Sequence, residues 1–505
     1  MSGRRAFLPS TTALIVIDMQ GDFCESGDTY LGRVGLSVAN TRAPIPALQL
    51  VLQELRKRKF SIFHTREGHR PSLADCPELK LWRSRMSGCE LGSVGREAHC
   101  CSRALVRGQA AWDFIDELKP VEGEDVVDGC GKGKFVATDL EMLLRERGVT
   151  TLVFGGVTTA CCVATTMREA QDLGFECWLL ADGTGDCSEK DFMDTLRLSS
   201  PRVLSCTTFL TRVLHDYRQS LPAPERAALP EEFDWLPELP AMKSLDGGVD
   251  GLPVPFHVWA TLEAEMLRGG QLGLCAALGE EARACIRQLK ERAAADGLIT
   301  RDGFVCIPAE DGGRTGAWPH APATLTMKGT ALLCLNARGA LAEKHTESAW
   351  MIQLRSLELA AKEAGVSVLH MHAMAPYAME DPSACTMPLA SEGAFSGTRL
   401  EAELHKLGVR NLLLAGLGAA GSVNTTMRQA SDRGFDTLVV ADCVGTDGQD
   451  EDADLFGLTA SQIRRVVFSA CGHSDAVLKW LRAETIKRVA SDQNAGVGGK
   501  RGREK

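Results

Sequence analysis

Residues 151–168 read Thr151-Leu-Val-Phe-Gly-Gly-Val-Thr-Thr-Ala-Cys-Cys-Val-Ala-Thr-Thr-Met-Arg168. The stretch starts with apolar residues typical of a buried strand, passes through a turn that contains glycine, and then takes on a helical pattern. A strand that leads into a helix in this way is the first part of a βαβ unit. The stretch therefore predicts an α/β fold with a parallel sheet.

The same alternation extends along the chain on both sides of this stretch. Short apolar runs predict strands, at 13–17, 61–64, 151–154 and 177–180. Helical patterns lie between them, at 46–58, 140–147 and 163–173. Because helices that connect parallel strands cover both faces of the sheet, we expect a Rossmann-like domain with three layers.

The chain contains this unit twice. Residues 165–175, Thr-Thr-Met-Arg-Glu-Ala-Gln-Asp-Leu-Gly-Phe, return 260 positions later as Thr-Thr-Met-Arg-Gln-Ala-Ser-Asp-Arg-Gly-Phe. Thr138 and Thr398 have the same spacing, whereas the first strand, which ends before Asp18, matches one that ends before Asn336, 318 positions later. The second copy is therefore 58 residues shorter between its first strand and Thr398. The repeat predicts two tandem α/β domains.

The composition between the copies changes to that of a linker. Seven of the 20 prolines fall between positions 222 and 255. We predict a first domain at 1–221, a proline-rich linker followed by a helix at 222–299, a second domain at 300–485 and a basic, disordered tail at 486–505.

The overall composition excludes several classes of protein. Among 505 residues, 44% are hydrophobic and 24% charged, which excludes wholesale disorder. A net charge of −10 argues against a general nucleic-acid binder. The apolar run 13–17 is too short for a signal peptide or a membrane span, so we expect no membrane association. Eighteen cysteines without regular spacing favour a reducing, cytoplasmic compartment.

Two kinds of residue are candidates for chemistry. Cys161 and Cys162 lie where a helix begins, and there the helix dipole and free amides lower the pKa of a thiol. The alternative is a pair of buried structural cysteines, which are far more common. Asp18 directly follows a buried strand, at the edge of the sheet where open α/β folds bind ligands, although a helix cap is the alternative. The loop Gly131-Lys-Gly-Lys134 lacks the spacing of a phosphate-binding loop.

Three motifs together resemble the isochorismatase-like cysteine hydrolase superfamily, over about residues 8–215. They are Asp18-Met-Gln-Gly-Asp-Phe23, Phe135-Val-Ala-Thr-Asp-Leu140 and Gly156-Val-Thr-Thr-Ala-Cys-Cys-Val163. The segment His64-Thr-Arg-Glu-Gly-His-Arg-Pro-Ser-Leu-Ala-Asp-Cys-Pro77 looks like the ureido and biuret amidohydrolase branch. The metal-binding pattern of nicotinamidases is absent from the sequence, so the resemblance implies neither a metal nor another cofactor.

The resemblance also implies roles for individual residues. Cys162 matches the family's nucleophile and Asp18 its general base. The backbone amides of Thr158 and Cys162 would form the oxyanion hole, after a cis peptide bond between Val157 and Thr158. Arg66, together with Glu67 beside it, would contact the substrate, with a surface salt bridge as the alternative for both.

The family pattern is interrupted at its lysine. That lysine precedes the threonine of the Thr-x-Leu motif by nine positions, which here is Gly129. Lys132 and Lys134 follow in a glycine-rich loop, and we predict Lys132 as the replacement. Without a cation at the site, proton transfer would be impaired and the rate would fall by roughly 10²–10⁴.

The second copy resembles a decayed member of the family. Asn336, Leu389 and Ser422 occupy the positions of the aspartate, the lysine and the cysteine. We therefore expect this copy to fold but not to catalyse the reaction. A built-in partner for the first copy is one role for it, so we expect intramolecular domain pairing or a homo-oligomer.

Two functions follow from these residues. The first is a cysteine-dependent amidohydrolase that cleaves a C–N bond of a small amide, ureido or carbamoyl compound through a thioester. The alternative is a catalytically impaired pair of domains that binds a metabolite or a protein, which Gly129 favours. Isochorismate cleavage is a weaker interpretation, because hydrolysis of a vinyl ether does not require Cys162.

Overall fold

A computed structural model describes residues 6–224, 327–445 and 470–485, with gaps at 78–79, 82–83, 86–87, 96–101, 189–190, 193–194, 197–198, 200–201, 338–344, 374–384, 390, 473, 476 and 483–484. The chain divides into two compact units, Met1–Glu291 and Arg292–Lys505. The predicted tail lies outside the described residues, as does the predicted linker beyond residue 224, so the domain boundaries stay predictions. Within the described part of the chain, the helices are too short or too polar to cross a membrane.

The first unit is built on a sheet of six parallel strands. The strands are β1 (Thr12–Ile17), β2 (Ser61–Glu67), β3 (Asp125–Gly129), β4 (Thr151–Val157), β5 (Glu176–Gly185) and β6 (Val203–Leu204). Their order in the sheet is β3-β2-β1-β4-β5-β6, so β1 and β4 are its central pair. The parallel α/β fold predicted from the strand–helix alternation is therefore confirmed.

Helices follow the strands of this unit. They include α1 (Gly21–Cys24), α2 (Tyr30–Val34), α3 (Ala39–Arg42), α4 (Ile45–Lys57), α5 (Leu140–Glu146), α6 (Ala164–Asp172) and α7 (Cys206–Ser220). Helices α4 and α7 pack with Leu14 and Val16 of β1 in one hydrophobic cluster, which includes Leu48 and Phe209. Every residue of β1 is buried, as expected for a central strand covered on both faces.

The second unit repeats this sheet. Its strands are β7 (Thr330–Leu335), β8 (Ser367–Ala373), β9 (Cys385–Leu389), β10 (Asn411–Leu417), β11 (Asp436–Gly445) and β12 (Ala470–Gly472). The order β9-β8-β7-β10-β11-β12 is that of the first sheet, and all pairs are again parallel. Its helices include α8 (Ala349–Ala364), α9 (Leu400–Lys406) and α10 (Asn424–Asp432).

The layers of the second unit can be read from its central strand. Leu332 and Cys334 of β7 pack with Leu354 of α8 in one cluster. Leu333, on the opposite face of the strand, packs with Leu400 of α9 in the other. Successive side chains of a strand point to opposite faces, so helices cover both sides of this sheet and the unit has three layers.

Most of the residues that the second copy lacks come from one connection. In the first unit, residues 68–124 join β2 to β3, whereas only residues 374–384 join β8 to β9. The pairing of the central strands does not depend on this connection. Strand β7 pairs with β10 in the same register in which β1 pairs with β4. The deletion therefore leaves the sheet intact and removes a segment beside its carboxyl edge.

Candidate active site

The candidate residues of the first unit meet at the carboxyl edge of its sheet. Asp18 follows β1, Glu67 ends β2, and Cys162 lies in the turn after β4. One carboxylate oxygen of Asp18, one of Glu67 and the sulfur of Cys162 all lie within 4.8 Å of one another, and all three residues are buried. The structure thus brings Asp18 and Cys162 together at this edge, and their catalytic roles stay predictions.

The backbone at two positions brings these residues together. Asp18 has φ +48°, a left-handed conformation that costs a residue with a Cβ of order 1 kcal/mol. Its N–H donates to the carbonyl of Thr65 at 3.1 Å. Gly156 has φ +104°, and a Cβ there would lie 2.1 Å from the carbonyl oxygen of Ile17. Glycine therefore allows β4 to approach β1 closely enough to set the cysteine turn beside Asp18.

The cysteine turn has the form that the resemblance implied. The peptide bond between Val157 and Thr158 is cis. Residues Thr159–Val163 form one π-helical turn, and α6 continues from it. The carbonyl of Thr158 accepts the N–H of Cys161 at 3.1 Å and of Val163 at 3.2 Å. The oxyanion-hole role of the Thr158 and Cys162 amides stays a prediction.

A buried carboxylate holds the start of this turn. Asp186 accepts the N–H of Ala160 at 2.7 Å and that of Ser188 at 3.3 Å. Burial raises the pKa of Asp186 to about 7, and Asp191 adds to this effect against the two backbone hydrogen bonds. Asp186 was not predicted from the sequence. Its hydrogen bond joins it to a turn 26 positions earlier, and the neighbouring residues in the sequence do not indicate such a contact.

This raised pKa makes the stability of the chain depend on pH. The unfolded chain has a carboxyl pKa near 3.9, so the stabilisation from protonating Asp186 is present below about pH 4 and is lost as the pH rises through 7. Asp186→Asn is neutral at every pH. We expect the free energy of unfolding of the wild type, relative to that of this variant, to fall by about 3 kcal/mol between pH 5 and pH 8. Urea unfolding at the two pH values measures this difference. A stability difference that stays constant or grows with pH would contradict this.

The thiol of Cys162 is neutral at rest. Its Sγ–H donates to Oε2 of Glu67 at 3.4 Å. A hydrogen bond with Cys161 raises the pKa of the Cys162 thiol, and so do burial and the charges of Asp18 and Glu67. The sequence analysis predicted a lowered pKa for this thiol. The sequence shows that a helix starts here, but it does not show the two carboxylates that face the sulfur.

Asp18 forms an ion pair with a lysine. Lys134 Nζ lies 2.8 Å from Asp18 Oδ2, and both side chains are fully buried. Thr65 Oγ1 donates to Oδ1 at 2.7 Å. Burial raises the pKa of Asp18 in spite of Lys134, and Glu67 raises it further. The sequence prediction named Lys132 as the replacement for the family lysine, whereas the ammonium that pairs with Asp18 is that of Lys134. A catalytic role for Lys132 stays a prediction.

The side chain of Lys134 passes close to Gly129, where a Cβ would first meet Cγ2 of Thr138 at 3.3 Å. A Cβ on Gly129 would lie 3.8 Å from Cδ of Lys134, and Gly129 pairs with Glu67 at the end of β3. Position 129 therefore lies next to the path that the Lys134 side chain takes towards Asp18. Lys132 is half-buried in the same loop. Burial opposes its charge, but Cys161, Glu67 and Cys162 raise its pKa well above the ordinary value.

Glu67 forms a second ion pair at the thiol. Its Oε1 lies 2.9 Å from Nζ of Lys80, which also donates to the carbonyl of Cys130 at 2.5 Å. Burial would raise the pKa of Glu67, but Lys80, Lys132 and Lys134 outweigh it and hold that pKa far below its usual range. Sequence reasoning missed Lys80. The one available indication was that two buried carboxylates require more than one cation.

Arg66 does not share this environment. It bonds to Asp128 at 2.8 Å and to Asp113 at 2.9 Å, and its guanidinium lies 3.8 Å from the ring centroid of Trp112. Consecutive residues of a strand point to opposite faces, so Arg66 and Glu67 cannot both face the thiol. Glu67 lies beside the thiol, whereas Arg66 forms the salt bridges that were the alternative. Substrate contact by either residue stays a prediction.

The charges around the thiol do not suit a metal ion. The three donor atoms of Asp18, Glu67 and Cys162 are close enough together to surround one. However, each carboxylate lies within 3 Å of an ammonium, from Lys134 or from Lys80. A divalent cation would have to displace or repel these ammoniums, so the donor set does not fit a metal.

The corresponding edge of the second unit has the same backbone conformation after its first strand, but it lacks the aspartate, lysine and cysteine of the first unit. Asn336 has the φ of Asp18, +48°, and its Nδ2 donates to Ser422 Oγ at 3.2 Å. Leu389 ends β9 in the register of Gly129. The amide of Gly418, the counterpart of Thr158, donates to the carbonyl of Gly445 at 3.0 Å. An amide so engaged is not available to an oxyanion.

We therefore expect the Ser422→Ala substitution to leave unchanged the hydrolase activity that the family resemblance implies. Asn336 carries no negative charge, so it cannot take a proton from the Ser422 hydroxyl as a carboxylate could. Steady-state kcat/KM of the full chain measures this. A loss beyond about tenfold would mean that the second unit takes part in catalysis.

A comparison with known protein families finds one family whose model matches this chain. Residues 12–208 and 390–471 match the model of the isochorismatase domain. The chain therefore belongs to the isochorismatase family of hydrolases, with matched residues in both units.

Individual relatives show how far the likeness extends. Ureidoacrylate amidohydrolase RutB of Methylobacterium radiotolerans is 31% identical over 180 residues, 35% of this chain and 67% of the relative. RutB of Serratia proteamaculans is 29% identical over 179 residues, 35% of this chain and 71% of the relative. A solved cysteine hydrolase from Pseudomonas syringae pv. phaseolicola is 24% identical, with 43% of this chain and 100% of that one covered and a TM-score of 0.36.

Proposed function

We propose that the first unit is a cysteine-dependent amidohydrolase that cleaves a C–N bond of a small amide, ureido or carbamoyl compound. The observation that carries this proposal is the buried thiol of Cys162, which lies between the Asp18–Lys134 and Glu67–Lys80 ion pairs. A nucleophile beside a base that is held by a third group is the arrangement of covalent catalysis. The names of the two amidohydrolase relatives support the same class of substrate.

The proton chemistry follows from the two carboxylates. Asp18, whose pKa is raised, accepts the proton of the Cys162 thiol more readily than Glu67, whose pKa is lowered. The sulfur attacks the carbonyl carbon, and the amides of Thr158 and Cys162 bind the oxyanion. Asp18 then returns the proton to the departing amine or ammonia, and water hydrolyses the thioester. Lys134 stabilises Asp18 in its charged form.

The ion pair of Lys134 with Asp18 removes the main argument for a catalytically impaired protein. That argument was the loss of the family lysine at Gly129. Because Lys134 brings an ammonium to within 2.8 Å of Asp18, proton transfer in the first unit does not lack a cation.

The test is hydrolysis of a substrate panel by the full chain. The panel contains N-carbamoyl amino acids, alkylureas and simple carboxamides, and release of ammonia is followed. We expect turnover of at least one class, and rapid acid quenching should trap an adduct that peptide mapping places on Cys162. Turnover without such an adduct on Cys162, or no turnover of any compound, would contradict the proposal.

A further inference from the structure

Three side chains of the second unit bring metal-binding atoms together between its sheet and a helix. Cys334 lies on β7, His370 lies beside it on β8, and Glu358 lies on α8. Because Cys334 and His370 are partners in the strand register, their side chains point to the same face of the sheet. The sulfur, a ring nitrogen and a carboxylate oxygen of the three residues all lie within 4.8 Å of one another. Thiolate, imidazole and carboxylate are the ligands of zinc in proteins.

The distance between two of these groups suits a shared ion. Nε2 of His370 lies 3.7 Å from Oε2 of Glu358, which is beyond hydrogen-bonding distance. Two ligands about 2.0–2.1 Å from a tetrahedral zinc ion lie roughly 3.4 Å from each other. The nitrogen and the oxygen are therefore nearly as far apart as two ligands of one zinc ion. A small rotation of the side chains brings the sulfur to the same ion.

The first unit has a valine at the position of Cys334. Val16 pairs with His64 in the register in which Cys334 pairs with His370. Val16 and Cys334 are both completely buried. An aliphatic side chain thus satisfies the packing at this position, so the fold does not require a thiol beside the histidine.

The first unit also has an apolar residue at the position of Glu358. Leu52 lies nine residues before the start of β2, and Glu358 lies nine residues before the start of β8. Leu52 is buried, and so are Leu354 and Ala361, which flank Glu358 on the same face of α8. A carboxylate on the apolar face of a helix costs free energy unless it has a partner. The second unit therefore replaces two apolar residues, both next to the histidine, with two metal-binding ones.

The charges of this cluster suit a divalent cation, in contrast to those around Cys162. Within the part of the chain that the structure describes, Glu358 forms its ion pair with His370 and none with a lysine or an arginine. A thiolate and a carboxylate together carry two negative charges, and a neutral imidazole adds a third donor. A protonated His370 would balance Glu358 but would not require Cys334. A zinc ion accounts for all three residues.

We propose that Cys334, Glu358 and His370 bind a zinc ion, with water as the fourth ligand. The Glu358 side chain is 17% exposed and that of His370 is 3% exposed, so the ion and the water reach the site along the glutamate. When zinc binds, an S–Zn bond replaces the S–H bond of Cys334, and the proton passes to solvent. The site is independent of the proposed hydrolase centre, whose motifs gave the expectation that no metal binds.

The ion gives the second unit a cross-link that the first unit makes in another way. In the first unit, Nε2 of His64 lies 2.9 Å from Oε2 of Glu124. Glu124 ends the connection from β2 to β3, and most of that connection is missing from the second unit. A zinc ion at His370 joins β7, β8 and α8 instead. Its role is therefore structural, and binding of zinc should stabilise the second unit against unfolding.

The experiment measures zinc bound to the full chain. The protein is stripped with a chelator, reloaded with zinc chloride and desalted, and the metal is counted by mass spectrometry. Cys334→Val and Glu358→Leu introduce the residues of the first unit, whose packing accommodates both side chains. Cys443→Ala is the control, because Cys443 is a buried cysteine of the same hydrophobic cluster but lies on β11.

We expect the wild type to hold one zinc ion per chain that both variants lose and the control keeps. In competition with a chelator, each variant should bind this ion at least about 100-fold more weakly, because removal of a ligand exceeds the effect of removing an outer-shell partner. Cobalt gives a second readout. The thiolate-to-cobalt charge-transfer absorption of the wild type should disappear in Cys334→Val and persist in Cys443→Ala. Zinc should also raise the Tm of the wild type but not that of the two variants.

Two results would overturn the proposal. If the wild type and the two variants hold the same amount of zinc, the cluster does not bind the ion, and Glu358 is only the ion-pair partner of His370. If Cys334→Val loses zinc but keeps the thiolate absorption of cobalt, the sulfur ligand lies elsewhere. Neither result affects the proposed hydrolase, which is tested at Cys162.

Discussion

Cys162→Ala is expected to lower kcat/KM for every hydrolysed substrate by more than about 10⁴-fold, because the covalent intermediate of the proposed mechanism forms on the Cys162 sulfur. The variant should fold, since the residue it replaces is small and is followed by an intact α6. Steady-state release of ammonia by the full chain measures the effect. Far-UV circular dichroism confirms that the variant is folded.

Cys177→Ala is the matched control for this variant. Cys177 is also a buried cysteine, but it lies near the start of β5, at the end of the sheet opposite Cys162. We expect this substitution to leave kcat unchanged within about threefold. If the two alanine variants were equally active, the nucleophile would have to lie elsewhere and the proposed function would be wrong.

The second large effect concerns the lysine at Asp18. Lys134→Ala leaves the carboxylate buried without its ammonium, which raises the pKa of Asp18 further and removes a base at neutral pH. We expect kcat/KM to fall by roughly 10²–10⁴ and the pH profile of kcat/KM to move its acidic limb upwards. A kinetic pH titration of the wild type and the variant checks both.

A rescue experiment tests whether activity requires an ammonium beside Asp18 or a lysine specifically at position 134. Gly129→Lys is introduced into Lys134→Ala, where the side chain can enter the space that Lys134 vacates. We expect at least a tenfold recovery of kcat/KM, and no recovery from Gly129→Ala in the same background. Lys119→Ala, at an exposed lysine, should be silent. If Gly129→Lys restores nothing while the protein stays folded, Lys134 does not act through Asp18.

The amino-acid sequence was sufficient for the parts that depend on local pattern. Apolar runs and helical periodicity predicted β1, β4 and α6, because a central parallel strand is buried on both faces and leaves a continuous apolar stretch. The repeat at a spacing of 260 predicted the second sheet. The position of Asp18 after β1 placed it at the carboxyl edge of the sheet, whereas the choice of Cys162 over Cys161 and its pairing with Asp18 came from the family resemblance.

The remaining parts were decided by contacts between distant segments. Lys134 rather than Lys132 reaches Asp18 because the loop after β3 folds one of two closely spaced lysines into the space beside Gly129, and spacing does not predict side-chain direction. Arg66 and Glu67 are neighbours in sequence but lie on opposite faces of β2. Lys80 enters the site through its contact with Glu67. The sequence alone determined which strands carry the chemistry, whereas the tertiary structure decided which charges face the thiol, because electrostatic interactions depend on distances across the fold.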